Sequence, residues 1–517
     1  MNVNVIVKQL DTLFIESVEN VDNLDSVVRD NIVNSLKQIA LEAQTNSEFR
    51  KVLGLNQQFW IMTNNMLTWV LKNLSNDEYS IFPVILWLLR VFKNIVAAIT
   101  ENQNKALEQE WNKFIEQILW YFLSKFRQEN DNTEFNIPIL KSGTQALSNM
   151  ITGNTFTQER VWVDFMNRDE SSDLLSTLAN YGDTGMLTSC LVLVNNCIFE
   201  SDTRSKALIY SESGNRLLKI LLDKAETLLE DENFELIYTV VSRLIDFDLF
   251  PTLYDSFNQH SSNQIPTQRQ IILLKLLDSK LHSTINISNS FSFHSCTFLL
   301  KLFNSLCPQV INLMKQLEVE NSTSETNVSL EDDVPQEIEE NRLLFSGLVL
   351  LLQCFVSLSQ DGNNKICGCL FKEGIISTVI SLLIQADKTL PRITKAISSS
   401  IAQNLQNGMT GFSHIKREII KIIGNMSYEN KIVQEEVRKM GGIPLILNQC
   451  NIDDNNPYIR EYAILALRNL LIDNLDNQKL IKELETIGTV QNDILKQAGM
   501  KTELDKDGKI KLIFDHK

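Results

Sequence analysis

The sequence predicts an all-α, right-handed solenoid of repeated helical units, and three observations predict it. Nine positions near the C-terminus recur at an offset of 44 residues: Ile415, Ile419, Ile422, Asn425, Met426, Asn430, Gln434, Val437 and Met440 are answered by Ile459, Ala463, Ala466, Asn469, Leu470, Asn474, Gln478, Ile481 and Leu484. The leading apolar members are spaced i, i+4, i+7, i+11, which sets them on one helical face with the Asn beside the last. Helical spacing of Leu and Ile also runs almost from end to end, with only 18 Gly and 9 Pro in 517 residues and few alternating stretches. Lastly, a period in the low forties made only of helices is that of armadillo or HEAT units, which bury their apolar faces against their neighbours rather than within themselves.

The chain opens MNVNVIVKQLDTLFIESVEN, with no basic stretch, no long apolar core and no small-residue cleavage site, so no secretion signal is expected. The two most apolar runs, Ile81 to Phe92 and Leu343 to Leu358, fall short of the ~20 residues that cross a bilayer and read as buried helices. The spacing of the C-terminal pair recurs at Val84, Leu88, Val91 and Ile95, with Asn94 before the last member. Ala146 to Met150 with Asn149, and Leu193 to Cys197 with Asn196, end the same way, so the unit recurs irregularly along the chain.

Each unit then needs a turn, a short helix, a Gly that breaks it and a further apolar helix. Gly214, Gly374 and Gly442 are expected to supply the break before Asn215 to Leu222, Ile375 to Leu383 and Ile443 to Leu447, with Pro444 in a first helical turn. Residues 318–341 carry nine acidic and no basic residues and cannot bury enough apolar area to order themselves. They divide the chain into N-terminal repeats (1–317), an acidic loop (318–341) and C-terminal repeats (342–517). Ser329, three residues before Asp332, fits an acidophilic kinase, and a solvated spacer is the plainer reading. A second loop is expected around 407–413, and Thr502 to Phe514 alternates about Asp507-Gly508, a hairpin signal that would suit a solenoid cap.

A formal charge of −16 and the lack of basic clusters with interleaved aromatics argue against nucleic acid as a ligand. The eight cysteines do not form a disulfide pattern: Cys190 and Cys197 share an apolar face with Met186 and Leu193, which points to a reducing, cytoplasmic setting. The sequons at Asn73, Asn286, Asn321, Asn327 and Asn425 are then chance matches. No phosphate loop, GxGxxG, HExxH or GxSxG occurs, the five His lack zinc-site spacing, Cys367 and Cys369 read as packing, and Asp505 and Asp507 lack the rest of a calcium loop. No catalytic set, cofactor or metal is expected.

The recurring Asn is the most informative polar residue. On the third helix of an armadillo unit it faces the binding surface, where it can satisfy a neighbouring repeat or hold an extended peptide. Nuclear import adaptors place a Trp four residues before it to bind basic peptides. Here those positions hold Arg90, Gln145, Val192, Lys421 and Leu465, and only Trp69 with Asn73 keeps the spacing, which disfavours that class.

The run from Ile415 to Leu484 resembles the C-terminal domain of ataxin-10 proteins. Gly442-Ile443-Pro444-Leu445-Ile446-Leu447, Cys450-Asn451, Asp453-Asp454-Asn455-Asn456-Pro457 and Ala466-Leu467-Arg468-Asn469-Leu470 carry the match, over a domain of about 412–514 that includes the Gly499 to Phe514 tail. Upstream, Leu147-Ser148-Asn149 and Val161-Trp162-Val163 look like weaker family positions. The resemblance implies a cytoplasmic armadillo protein without enzyme activity, implicated in cytokinesis, with G-protein β subunits and an intracellular glycosyltransferase among the partners of animal members. An armadillo-type exchange factor or chaperone for G-protein subunits is the alternative. Binding residues are expected at Lys421, Asn425, Arg460, Arg468 and Asn469, with Gly442 and Pro444 setting a turn. Self-association through an exposed solenoid end is left open.

Overall fold

The computed structural model describes residues 3–19, 26–74, 79–125, 134–228, 231–258, 265–284, 291–321, 336–360, 365–390, 392, 414–483, 500–504 and 510–514. The chain folds as two compact units, Met1–His260 with Thr267–Lys280, and Ser261–Pro266 with Leu281–Lys517.

The first unit opens with α1 (Val3–Glu19) and α2 (Ser26–Thr45) and then repeats a three-helix motif. Its copies are α3 (Ser47–Leu55), α4 (Gln57–Leu74) and α5 (Phe82–Ile95); α6 (Thr100–Glu108), α7 (Trp111–Lys125) and α8 (Asn136–Ile151); α9 (Thr155–Met166), α10 (Leu174–Ala179) and α11 (Thr184–Ile198); and α12 (Asp202–Tyr210), α13 (Glu212–Ala225) and α14 (Glu232–Asp246). α15 (Phe250–Asp255) and α16 (Gln268–Ser283) follow. The third helices stack in chain order, α5 on α2, α8 on α5, α11 on α8 and α14 on α11, as in an armadillo solenoid.

The second unit contains α17 (Phe293–Asn321), α18 (Gln336–Ser359), α19 (Lys365–Lys372), α20 (Ile375–Thr389), α21 (Ile415–Ser427), α22 (Lys431–Lys439), α23 (Gly442–Asn448), α24 (Ile459–Leu471) and α25 (Leu475–Glu483). α21 packs between α18 and α24. β1 (Met500–Leu504) and β2 (Ile510–Phe514) form the hairpin, antiparallel with Met500 opposite Phe514, two residues longer at its start than the alternation indicated. Helical backbone extends into both ends of the acidic segment, to Asn321 and from Gln336. Ser329 and the loop at 407–413 lie outside the described residues.

The apolar stripes read from sequence are the core. Ile415, Ile419, Ile422 and their partners Ile459, Ala463 and Ala466 are all buried. So are Val84, Leu88, Val91 and Ile95 on α5. The Leu343 to Leu358 run lies in a longer helix than expected. Ile338–Ser359 spans 22 residues and is long and apolar enough to cross a bilayer, yet 67% of its apolar window is buried inside the structure, as a core helix requires.

Six third helices, α5, α8, α11, α14, α21 and α24, leave their repeats through a residue in the left-handed region, and five of these are not glycine: Ala98, Glu200, Asp248, Glu429 and Asp473 have φ between 49° and 59°, and Gly153 has 71°. The conformation costs an L-residue ~1–2 kcal/mol, and a side-chain cap on the next helix helps offset it. After Glu200, Ser201 Oγ accepts from Arg204 N at 3.2 Å; after Glu429, Asn430 Oδ1 accepts from Val433 N at 3.3 Å; and after Asp473, Asn474 Oδ1 accepts from Asn477 N at 3.1 Å.

Two of the glycine positions differ from expectation. The left-handed turn before α23 is made by Gly441 (φ 71°), while Gly442 already belongs to the helix. A Cβ at Gly442 would lie 2.8 Å from Val437 Cγ1, so close packing explains the residue. Gly214 breaks nothing: Ser211 caps α13 and accepts from Gly214 N at 3.0 Å. A Cβ at Gly214 would sit 2.1 Å from the Leu208 carbonyl oxygen, a backbone atom that cannot swing away. Gly374, with φ 80°, makes the expected break. Gly214→Ala is therefore expected to destabilise the first unit by about 1–3 kcal/mol, read as an earlier urea-unfolding transition. An unchanged transition would refute the close approach of α12 and α13.

All eight cysteines are free thiols, and six are buried. Burial pushes Cys190 and Cys307 up to about 12 and raises Cys197 and Cys296 as well. A thiol is then a small apolar side chain with little nucleophilic thiolate. In native protein, N-ethylmaleimide should modify the partly exposed Cys369 and Cys450 well before the other six, as followed by peptide mass spectrometry. Rapid labelling of Cys190 or Cys197 would contradict the packing of α11.

Candidate protein-binding face

The third helices carry a ladder of side-chain amides at their C-terminal ends. Asn94 Nδ2 donates to Ala40 O at 2.8 Å, Asn149 Nδ2 to Lys93 O at 2.9 Å, and Asn196 Nδ2 to Ser148 Oγ at 3.0 Å and Thr152 Oγ1 at 2.9 Å. In the second unit Asn469 Nδ2 donates to Gly424 O at 2.9 Å, and Asn425 Nδ2 reaches Val356 O at 3.3 Å and Ser359 Oγ at 3.2 Å. Asn149, Asn425 and Asn469 thus hold carbonyls in the last turn of the preceding helix, which lack an intrahelical partner, Asn196 holds hydroxyls at the end of α8 and just beyond it, and Asn94 reaches a carbonyl one turn further inside α2.

A second set of amides reaches from the first helix of a repeat to the end of that repeat's own third helix. Gln103 Nε2 donates to Asn149 O and Thr152 O at 2.8 and 3.0 Å, Gln158 Nε2 to Asn196 O at 2.9 Å, and Gln434 Nε2 to Asn469 O at 2.9 Å. Arg204 supports Gln158 by donating to its Oε1 at 2.8 Å, and its Nε binds Cys197 O. Of these residues, only Gln434 stands out in the sequence, through its 44-residue match to Gln478. Gln103 and Gln158 have no local signal because these carbonyls lie 38 to 49 residues away, and the Gln158 partner of Arg204 is 46 residues away.

The inward bonds use only the nitrogen of each Asn. Among the described residues no donor reaches Oδ1 of Asn94, Asn149, Asn196, Asn425 or Asn469, and none of these oxygens is a buried orphan. Carbonyl acceptors without a described donor, on α5, α8 and α11 of the first unit and on α21 and α24 of the second, can take N–H groups from an extended backbone, while α14 carries Arg243 in place of the Asn.

The C-terminal residues expected to bind partners divide in the structure. Asn425 and Asn469 carry the inter-repeat bonds just described. Lys421 is half-buried, 2.9 Å from Glu418 Oε2 and 5.4 Å from the centre of the Tyr462 ring, so it ties α21 to α24. Arg460 and Arg468 are exposed and, with exposed Ile464 between them, form an i, i+4, i+8 stripe on α24. Pro444 is exposed in the first turn of α23.

The Asp453 to Pro457 string is largely a structural corner. Asp453 and Asn456 are buried, and Asn456 Nδ2 donates to Asp453 Oδ2 at 2.9 Å. Asn456 Oδ1 accepts from Arg417 N at 3.3 Å, and Asn455 O accepts from His414 N at 3.2 Å. Lys416, fully buried, donates to Leu390 O at 2.6 Å and lies 3.6 Å from Asp387 Oδ1. Burial pushes its ammonium down, against the opposing pull of Asp387 and Asp453. Burial alone would raise Asp387, but hydrogen bonds from Gln449 and Asn448 and the charges of Lys416 and Arg392 leave it below the usual carboxylate value.

In the first unit a trough opens beside α10, which has only six residues. Its charges are paired across it: Arg216 with Asp173 at 2.9 Å, Arg269 with Asp223 at 2.8 Å, and Lys141 with Asp183 at 3.1 Å.

Residues 415–513 match the family model described as the spinocerebellar ataxia type 10 protein domain. The chain is similar to an ataxin-10 homolog of Dictyostelium discoideum, 26% identical over 71% of this chain and 75% of that protein. Ataxin-10 of Homo sapiens is 26% identical over 73% and 72% of the two chains. An ataxin-10 homolog of Kluyveromyces lactis is 45% identical over 20% of each. Among solved structures, a computationally designed armadillo repeat protein for modular peptide recognition aligns with 57% of this chain and 98% of its own at 14% identity, with a TM-score of 0.25. An engineered protein covers 91% of this chain and 99% of its own at 13% identity and a TM-score of 0.35. Superpositions this loose add nothing to the fold, which rests on the helix stacking.

Asn469→Ala is expected to cost about 1–3 kcal/mol, because it leaves the Gly424 carbonyl without its partner. Faster amide hydrogen exchange across α21 and α24 would register the loss. Arg468→Ala, on the exposed face, should stay within about 0.5 kcal/mol of the parent. Equal effects from the two would mean the Asn is not the inter-repeat tie.

Proposed function

We propose that this chain, which belongs to the ataxin-10 family, works in the cytoplasm as a non-catalytic protein-interaction scaffold in the regulation of cytokinesis. The observation that carries the scaffold reading is the row of Asn Oδ1 acceptors on the third helices. Their nitrogens are committed to the fold while their oxygens take no donor among the described residues, which leaves acceptors for an extended backbone. Armadillo arrays present such faces for partners rather than for chemistry, and similarity to ataxin-10 relatives over most of the chain supports the same reading.

The cytoplasmic assignment draws on six buried free thiols, a usage suited to a reducing compartment. The cytokinesis role draws on family membership. G-protein β subunits and a glycosyltransferase are partner candidates on the same basis.

Cells of the source organism that lack the chain should accumulate unseparated or multinucleate forms, and re-expression should restore division. A Gln145→Glu/Val192→Glu variant, altered on solvent-reachable positions of α8 and α11, should fold normally and fail to rescue. Normal division without the chain would end the cytokinesis reading. Full rescue by the variant would remove the α8–α11 face from it.

A further inference from the structure

The chain carries a formal charge of −16, yet one stretch of the third-helix ladder is basic and unneutralised. Trp87, Arg90 and Asn94 lie at i, i+3 and i+7 on α5, one helical face. The Arg90 guanidinium sits 4.4 Å from the Trp87 ring centre, and Lys37 Nζ of α2 approaches the same ring at 5.7 Å. Lys93 Nζ donates to Gln145 Oε1 of α8 at 3.1 Å. Among the described residues no carboxylate lies within ion-pair distance of Lys37, Arg90 or Lys93, whereas the neighbouring Lys141 is paired with Asp183. Burial and the adjacent Arg90 charge hold the Lys93 ammonium below the usual lysine value, with no acidic group opposing them.

Two neighbouring cations left without a counter-charge on a half-buried surface raise the energy of the free protein, and an arriving anion relieves it. Stacking on Trp87 holds the Arg90 fork in place before any ligand arrives, so less side-chain entropy is lost on binding. The acceptors of Asn94 and Asn149 run alongside and suit the N–H groups of a peptide backbone, which a nucleic acid or a lipid surface does not offer.

We propose that Lys37, Trp87, Arg90 and Lys93 form a docking site for an extended, carboxylate-rich segment of a partner protein. Arg90 and Lys93 receive a carboxylate, and the Asn94 and Asn149 oxygens accept from its backbone. The assignment rests on the scaffold reading and names the chemistry of one of its partners.

The test is fluorescence anisotropy with the full chain and a labelled probe of about twelve residues alternating Glu and Ser, a length matched to two or three repeats. Saturable binding that weakens with salt is expected. The matching Gln–Ser peptide should bind at least about tenfold more weakly. Arg90→Glu/Lys93→Glu should lose at least about tenfold in affinity, and Trp87→Ala should lose part of it while keeping every charge. Lys51→Glu/Lys439→Glu, with the same charge change at exposed lysines elsewhere, should leave binding within about twofold. Circular dichroism of each variant should match the parent.

Absence of saturable binding up to about 1 mM, where recognition has become very weak, would overturn the proposal. So would equal binding by Arg90→Glu/Lys93→Glu, or equal competition by an oligouridylate of the same charge. The scaffold reading is tested separately by cell division. Normal division without the chain, together with peptide binding lost in the double variant, would remove the cytokinesis role and leave the site in place.

Discussion

The repeat array depends on one interaction, the side-chain amide that crosses from the third helix of a repeat back to the third helix before it. A helix leaves its last carbonyls unsatisfied, and a stacked helix end cannot rely on water for all of them. Asn at the end of a third helix donates back to the preceding third helix, and Gln on the first helix of a repeat donates forward to the end of that repeat's own third helix. Gly424 O and Lys93 O are satisfied by the first set, and Asn149 O and Asn469 O by the second. These bonds close only if adjacent third helices keep one relative height. They therefore fix the register of an apolar interface that by itself would tolerate sliding. Hydrophobic burial drives the stacking, and the amides select which stacking forms.

The same geometry accounts for how much could be read from the sequence. The C-terminal pair was legible because both copies have the same length, so His414 and Tyr458, both with positive φ, and likewise Glu429 and Asp473, keep the 44-residue offset. In the first unit the third helices that begin at Phe82, Asn136, Thr184 and Glu232 are separated by 54, 48 and 48 residues, so neither the first step nor the other two share the 44-residue offset of the C-terminal pair. Asn94, Asn149 and Asn196 were visible only as a local pattern. Glycine proved a poor guide to the junctions. The left-handed residues between repeats are mostly Ala, Glu or Asp, and Gly214 answers a steric need that arises only when α12 and α13 meet.

The site was legible in part. Sequence placed the Asn set on a binding face and also allowed that it was structural, and the amide's two ends divide those roles. Lys421, Asn425 and Asn469 were identified, but the structure gives each an intramolecular partner. Arg460 and Arg468 remain exposed on α24. The basic patch was hidden for two reasons. Lys37 and Trp87 are 50 positions apart in the chain, and a net charge averaged over the whole sequence has the opposite sign.

Polar residues in this protein can be sorted by who satisfies them. Lys416, Glu418 and Asp453 are buried, and each lies against an opposing charge or a hydrogen-bonding partner; removing any of them would leave its partners uncompensated, which marks a structural role. The ion pairs around the trough beside α10 answer one another across its walls and leave no net charge to attract a ligand. Arg90 and Lys93 are the reverse case. They are positioned by Trp87 and Gln145, as structural residues are, but their charges are not answered within the described chain. Side chains ordered at a cost in entropy and electrostatics are selectively stable only if something outside the fold compensates them. Positional order without charge compensation is therefore the feature that separates this face from the rest of the ladder.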